Sequence, residues 1–256
     1  MRKILVLILV LSNIFYGFYS KKQFEIEEIK LNYADITFVK VLRHQASSRS
    51  ELFQNIKKLI KNNKYDAIVL EGKGFDRYSS CLVNENECHN EPTFAYSLAK
   101  KTQKSTIVVS GEPKTEQVLK YLLKEGFTLE DYLAFKYTIK AMVLNRRKNI
   151  TIQKLLPRLN RQRKYIENLV HKRLDFDYEK WQKWYKKKMY QKLDIYAIND
   201  NYINPNGENF LQKISHAVNI VRNQNLLDTI KNLTRKHKKI LVIYGAQHIK
   251  DIWGRW

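Results

Sequence analysis

Residues 66–72 read DAIVLEG: one aspartate, four apolar residues, then glutamate and glycine. A run this short, closed at both ends by polar residues, predicts a buried strand of a parallel sheet. Three further runs share the design: ITFVKVLRH over 36–44, TIVVSGE over 106–112, and KKILVIYGAQH over 238–248. Each run ends on a histidine or a glutamate, namely His44, Glu71, Glu112 and His248. Parallel strands would deliver all four groups to one sheet edge. In open α/β sheets the carboxyl edge is where ligands bind. Two imidazoles and two carboxylates are the donor types for a metal ion or for acid/base chemistry.

The segments between the runs read as helices. Ser50-Glu51 opens one, with Leu52, Ile56, Leu59 and Ile60 on one face. Others are expected at about 93–102 and over 114–124. Strands alternating with helices predict an α/β fold, with a mostly parallel central sheet flanked by helices. Residues 21–35 are polar and show little pattern. From Leu129 to Lys192 the periodicity is helical, with a break over 145–149 and Pro157 inside. Tyr132, Phe135, Tyr137, Tyr165, Tyr178, Trp181, Trp184, Tyr185 and Tyr190 make this stretch aromatic-rich. They are expected as core or groove lining rather than a cofactor box. The segment reads as a helical insertion, about 129–200, capping the carboxyl edge of the sheet. The turn Asn204-Pro205-Asn206-Gly207 precedes a helix to about 236 and a last strand over 240–244.

The amino terminus has another character. Met1-Arg2-Lys3 is basic, residues 4–18 are almost wholly apolar, and Lys21-Lys22 follow. That is the plan of a secretory signal peptide, or of a retained N-terminal anchor, over 1–20. Residues 21–256 then form a single α/β domain of an exported protein, periplasmic or secreted. No cysteine lies near the end of the apolar stretch, which argues against a lipoprotein. Export shapes the reading of Cys81 and Cys88, the two cysteines, in SSCLVNENECHN. A local disulfide is the simple expectation; a metal site with His89 is the sharper alternative.

The formal net charge is +22. Residues 146–192 carry sixteen lysines and arginines, interleaved with apolar residues at helical spacing. These read mainly as solvated helix faces. Nucleic-acid binding is the lesser reading, and a weak attraction to an anionic membrane or wall surface the better one. The phosphate-binding patterns GxxxxGK[ST] and GxGxxG are absent, as are HExxH and a GxSxG elbow.

Each strand-end residue carries a plain alternative. His248 follows Gly245, whose backbone freedom suits a sharp turn, or it merely packs at the strand end. His44 precedes Ser47, Ser48 and Ser50, and could be an exposed turn histidine. Glu71 ends an apolar strand, where a lone buried carboxylate is costly, or it is solvated. Glu112 lies between Gly111 and Pro113, or serves a helix N-terminus. Arg222, in NIVRNQNLL, shares a helix with inward-facing Val218, Val221, Leu226 and Ile230, and such an arginine often pairs with a carboxylate. His216 is a weaker candidate for the same groove.

The order of these features resembles the Tiki/TraB/GumN superfamily, which also takes in erythromycin-esterase and ChaN-like proteins. The resemblance rests on a strand and histidine, YDAIVLEG, VSGEP, a helical insertion, VRNQ, and VIYGAQH, over about 36–125 and 208–253. It implies His44 as the first motif histidine, Glu71 and Glu112 as paired glutamates, Arg222 as the arginine, and Gly245 with His248 as the second motif. Val41 stands where the first motif of that group has glycine. Tiki-like members are similar to metal-dependent proteases, esterase-like members use histidine to activate water, and ChaN-like members bind haem. The expectation is an exported hydrolase acting on a peptide or small-molecule ester. His44, Glu71, Glu112 and His248 would hold Mn, Co or Zn. A haem- or small-ligand-binding protein without catalysis is the alternative.

Overall fold

A computed structural model describes residues 24–42, 50–75, 81, 88, 90–103, 105–148, 150–253 and 255. The chain divides into two compact units, 1–112 with 226–256, and 113–225. No helix among the described residues is long and apolar enough to cross a membrane.

The first unit is the α/β part. Its five strands are β1 (Phe24–Lys30), β2 (Asp35–Val41), β3 (Ala67–Leu70), β4 (Ile107–Ser110) and β5 (Lys239–Gly245). They lie side by side in the order β1-β2-β5-β3-β4. The last strand therefore enters the middle of the sheet, parallel to both β2 and β3, while β4 runs parallel to β3. β1 is an antiparallel edge strand, with Phe24 opposite Val41 and Lys30 opposite Asp35. The sheet is thus mostly parallel, as expected; β1 falls in the stretch where no strand was expected. Its FEIEEIK places two glutamates in the middle of the run, so the apolar alternation is broken. An edge strand bonded on one side tolerates that.

Helices cover both faces. On one face, Val39, Val41, Ile68, Leu70, Leu241 and Ile243 meet α1 (Glu51–Asn62) and α2 (Glu91–Thr102) through Leu52, Phe53, Ile56, Phe94 and Leu98. The buried residues of α1 recur at the spacing of one helix face, and the Ser50 side chain caps its first turn by accepting from the Phe53 amide. On the other face, Phe38, Val69, Ile240, Val242 and Tyr244 pack with Leu226, Leu227, Ile230, Ile249 and Ile252. Consecutive β5 residues thus point to opposite faces, and both faces are dry, which explains why parallel strands read as unbroken apolar runs. Cys81 and Cys88 are bridged, with their Cα atoms 4.8 Å apart, and both are buried with α1 and α2. The thiols are consumed by that bond, so the alternative of a cysteine metal site falls.

The second unit is helical: α3 (Thr115–Lys124), α4 (Leu129–Arg146), α5 (Ile152–Val170), α6 (Tyr178–Met189), a 3-10 turn at Asp200–Ile203, and the start of α7 (Phe210–Thr234). It is wider than the expected insertion of 129–200. Its core gathers Leu133, Tyr137, Leu155, Trp181, Tyr185, Leu211 and Ile214. The Tyr137 hydroxyl donates to the Phe176 carbonyl at 2.9 Å, and burial pushes its pKa up to about 12. Trp184 Nε1 donates to the buried Asp131 carboxylate at 2.8 Å. The aromatics are thus mainly core, while Tyr165 and Tyr190 are exposed.

Candidate functional site

Three of the parallel strands end where the sequence places its polar groups. Glu71 directly follows β3, Glu112 lies two residues past β4, and Gly245 closes β5 and opens the short helix α8 (Ala246–Ile252) that carries His248. The register sets Leu70 beside both Ser110 and Ile243, so these exits stand side by side at the carboxyl edge. His44, three residues past β2, lies outside the described residues.

Glu71 is half-buried, and its Oε2 accepts the Gly245 amide at 2.7 Å. Its own amide donates to the Ile243 carbonyl at 3.2 Å, so it is held to β5 from both ends. The chain passes from strand to helix at Gly245 with φ −55, an angle open to any residue, so the turn does not draw on glycine's backbone freedom. The requirement is space: a Cβ on Gly245 would lie 3.2 Å from Glu71 Oε2 and 3.6 Å from His248 Cδ2. Glu71 and His248 therefore flank one backbone position. A carboxylate on the amide of the residue that precedes α8 also has favourable electrostatics.

Glu112 is engaged by a residue that the sequence reading did not single out. The Tyr244 hydroxyl donates to Glu112 Oε1 at 2.5 Å. The Tyr244 ring also stands edge-on to the His248 imidazole, with centroids 5.5 Å apart and planes at 87°. His248 is only 8% exposed. Tyr244 thus joins the glutamate after β4 to the histidine after β5. Gly111 makes room for it: a Cβ there would come within 2.7 Å of Tyr244 Cε2 and 2.9 Å of Leu226 Cδ1.

Ser110 is the second residue that sequence reasoning missed. Its hydroxyl donates to the Gly72 carbonyl at 2.5 Å and accepts the Glu112 amide at 3.0 Å. The turn after β3 needs glycine, with φ +94 at Gly72 and +70 at Gly74. One hydroxyl therefore ties the β3 exit to the β4 exit and orients Glu112. Tyr244 carried a usable signal, since it closes an apolar run directly before Gly245, and Ser110 stands directly before Gly111-Glu112.

Arg222 is a half-buried residue of α7, within the helical unit. His216 is exposed. Among the described residues, no three His, Cys, Asp or Glu side chains are grouped as a metal site requires. A centre built on Glu71, Glu112 and His248 would need His44 or a rearrangement of these side chains. What the described groups form is a phenol that is hydrogen-bonded to one carboxylate and edge-on to an imidazole, with a second carboxylate beside them on the Gly245 amide. No protein-family model matches the chain, and neither a curated protein nor a solved structure matches it.

Proposed function

We propose that the protein is an exported hydrolase that activates water at the carboxyl edge of its sheet to cleave a peptide or ester bond. The observation that carries this reading is the linked set Glu112–Tyr244–His248, with Glu71 beside it on the Gly245 amide. An imidazole is the side chain best matched to taking a proton from water near neutral pH. In this reading His248 is the general base. Tyr244 holds Glu112 and the imidazole in fixed relation, and Glu71 anchors the start of α8 so that His248 keeps its place. Water attacks the substrate carbonyl carbon, its proton passes to His248, and the same imidazole returns it to the leaving amine or alcohol. The sequence suggests Arg222 for steadying the developing oxyanion.

A divalent Mn, Co or Zn ion would supply water of lowered pKa. The described residues do not by themselves form its ligand set; Glu71, Glu112 and His248 would hold it together with His44. The N-terminal 1–20 pattern supports export, and the disulfide suits an oxidising compartment.

The test is hydrolysis of a panel of peptide and ester substrates by the purified chain, with metal content and the visible spectrum measured alongside. The hydrolase reading expects activity that falls at least a hundredfold in His248→Ala and Glu112→Gln, and falls also in Arg222→Ala. If no substrate is cleaved, or if cleavage is indifferent to His248→Ala and Glu112→Gln, the reading fails. A Soret band in the isolated protein would instead identify a haem-binding protein.

A further inference from the structure

The opposite edge of the α/β unit carries a separate cavity. It measures about 440 Å³ and is lined by Leu31, Tyr33, Lys231, Thr234 and Arg235. Leu31 and Tyr33 belong to the turn joining β1 to β2, and the other three to the last turn of α7 and the residue beyond it. This is the amino edge of the parallel strands, remote in topology from Glu71, Glu112 and His248. The volume falls within the range of small-molecule sites, about 300–1,000 Å³.

Its chemistry has two parts. The apolar part is Leu31 with the ring of Tyr33, an aromatic side chain that is 62% exposed. The polar part is cationic. Lys231 and Arg235 lie four residues apart, one helical turn, and so share a face. Among the described residues neither has a carboxylate partner, and none of those that line the cavity is an acid. Asp66, just before β3, is already occupied by the Lys238 and Lys239 amides at 2.9 and 3.0 Å. The Thr234 hydroxyl is spent on the Lys231 carbonyl at 2.9 Å. Both cations complement the carboxyl end of α7, which places them without satisfying their charge. A guanidinium offers paired donors that match the two oxygens of a carboxylate or phosphate.

We propose that this cavity binds a small organic anion: a flat apolar body against Leu31 and Tyr33, and one carboxylate or phosphate head on Lys231 and Arg235. The site is independent of the hydrolytic reading, and neither depends on the other.

The test uses the full chain and three naphthalene probes of one shape, followed by titration calorimetry at moderate salt. These are 2-naphthoate, 2-naphthyl phosphate and the neutral 2-naphthol. The anions are expected to bind at least tenfold tighter than the alcohol. Lys231→Gln with Arg235→Gln should erase that advantage, and Arg235→Lys should restore part of it. Tyr33→Ala should weaken acid and alcohol alike. The exposed pair Lys236→Gln with Lys238→Gln, which removes the same charge outside the cavity, should leave binding unchanged. Equal losses in the two double variants would mean diffuse electrostatic attraction and would overturn the site. Equal affinity for acid and alcohol would overturn it too. So would binding to anionic phospholipid vesicles without binding of any naphthalene anion, since the surface would then be a membrane contact. Unchanged circular dichroism of the variants shows that each loss is local.

Discussion

Two glycines at the carboxyl edge differ in kind, and a methyl group tells them apart. At Gly111 it would meet Tyr244 and Leu226 at 2.7 and 2.9 Å, closer than real Cβ contacts come, and both neighbours are buried. Gly111→Ala is expected to cost about 1–3 kcal/mol through forced repacking, read as a lower urea midpoint. At Gly245 the nearest atom is a carboxylate oxygen at 3.2 Å on a half-buried side chain. Gly245→Ala should therefore cost clearly less stability than Gly111→Ala; an equal or larger loss would show that Glu71 has no room to yield. Tyr244→Phe keeps the ring and removes the hydroxyl that donates to Glu112. A hydrogen bond to a charged acceptor is worth about 1.5 kcal/mol at the low end, and that end applies because Glu112 is half-buried and water replaces the phenol. If Tyr244 positions the base, turnover should fall by more than this stability loss explains, with substrate affinity little changed. Chemical denaturation and steady-state kinetics on the same variant separate the two effects.

At the scale of elements, the α7-to-β5 turn is stapled to β3 by one side chain. Asp66 accepts two backbone amides across it, and those bonds, chiefly the one from Lys239, hold its carboxyl below the ordinary range. A carboxyl depressed on folding contributes stability above its unfolded pKa and loses it as pH falls through the folded one. Asp66→Asn should thus lower the urea midpoint at neutral pH and flatten its decline on acidification below about pH 4. An unchanged acid limb would mean the staple contributes nothing. The Cys81–Cys88 bridge closes a short loop beside α1 and α2, and chain-entropy reasoning values such a loop at about 2–3 kcal/mol. Reductant should lower the melting temperature, and a Cys81→Ala, Cys88→Ala double variant should reproduce that shift and no longer respond to reductant. These elements also show what a single sequence reveals. The runs before Glu71 and His248 were legible because both faces of a strand inside the sheet are buried, which leaves an unbroken apolar word, and the run before Glu112 kept its Ile-Val-Val although β4 is an edge strand with Ile107 exposed. β1 was not, because an edge strand answers to one neighbour and admits Glu27 and Glu28. The link from Tyr244 to Glu112 spans 132 positions in sequence, and only the strand order brings the two together.

The whole molecule is discontinuous in one unit and continuous in the other, and that asymmetry has a consequence for folding. β5 is the central strand, bonded to β2 on one side and β3 on the other, yet it comes near the end of the chain. A fragment ending at residue 112 holds β1, β2, β3 and β4 but leaves β2 and β3 with no strand between them. It also loses Ile240, Val242, Tyr244 and the α7 residues that bury Phe38 and Val69. Such a fragment has exposed sheet edges on an apolar core and should aggregate rather than fold. The segment 113–225 carries its own core within its own bounds, from Val118 to Ala217, with Trp181, Tyr137 and Leu211 buried at the centre. It is large enough to fold without a disulfide, and its contacts are mostly between helices near in sequence, which favours fast and independent folding. Produced alone, 113–225 should show a helical circular dichroism spectrum and a cooperative thermal transition, and Trp181→Ala should abolish that transition. A non-cooperative melt of the wild-type fragment would mean that the helical unit depends on the sheet for its structure.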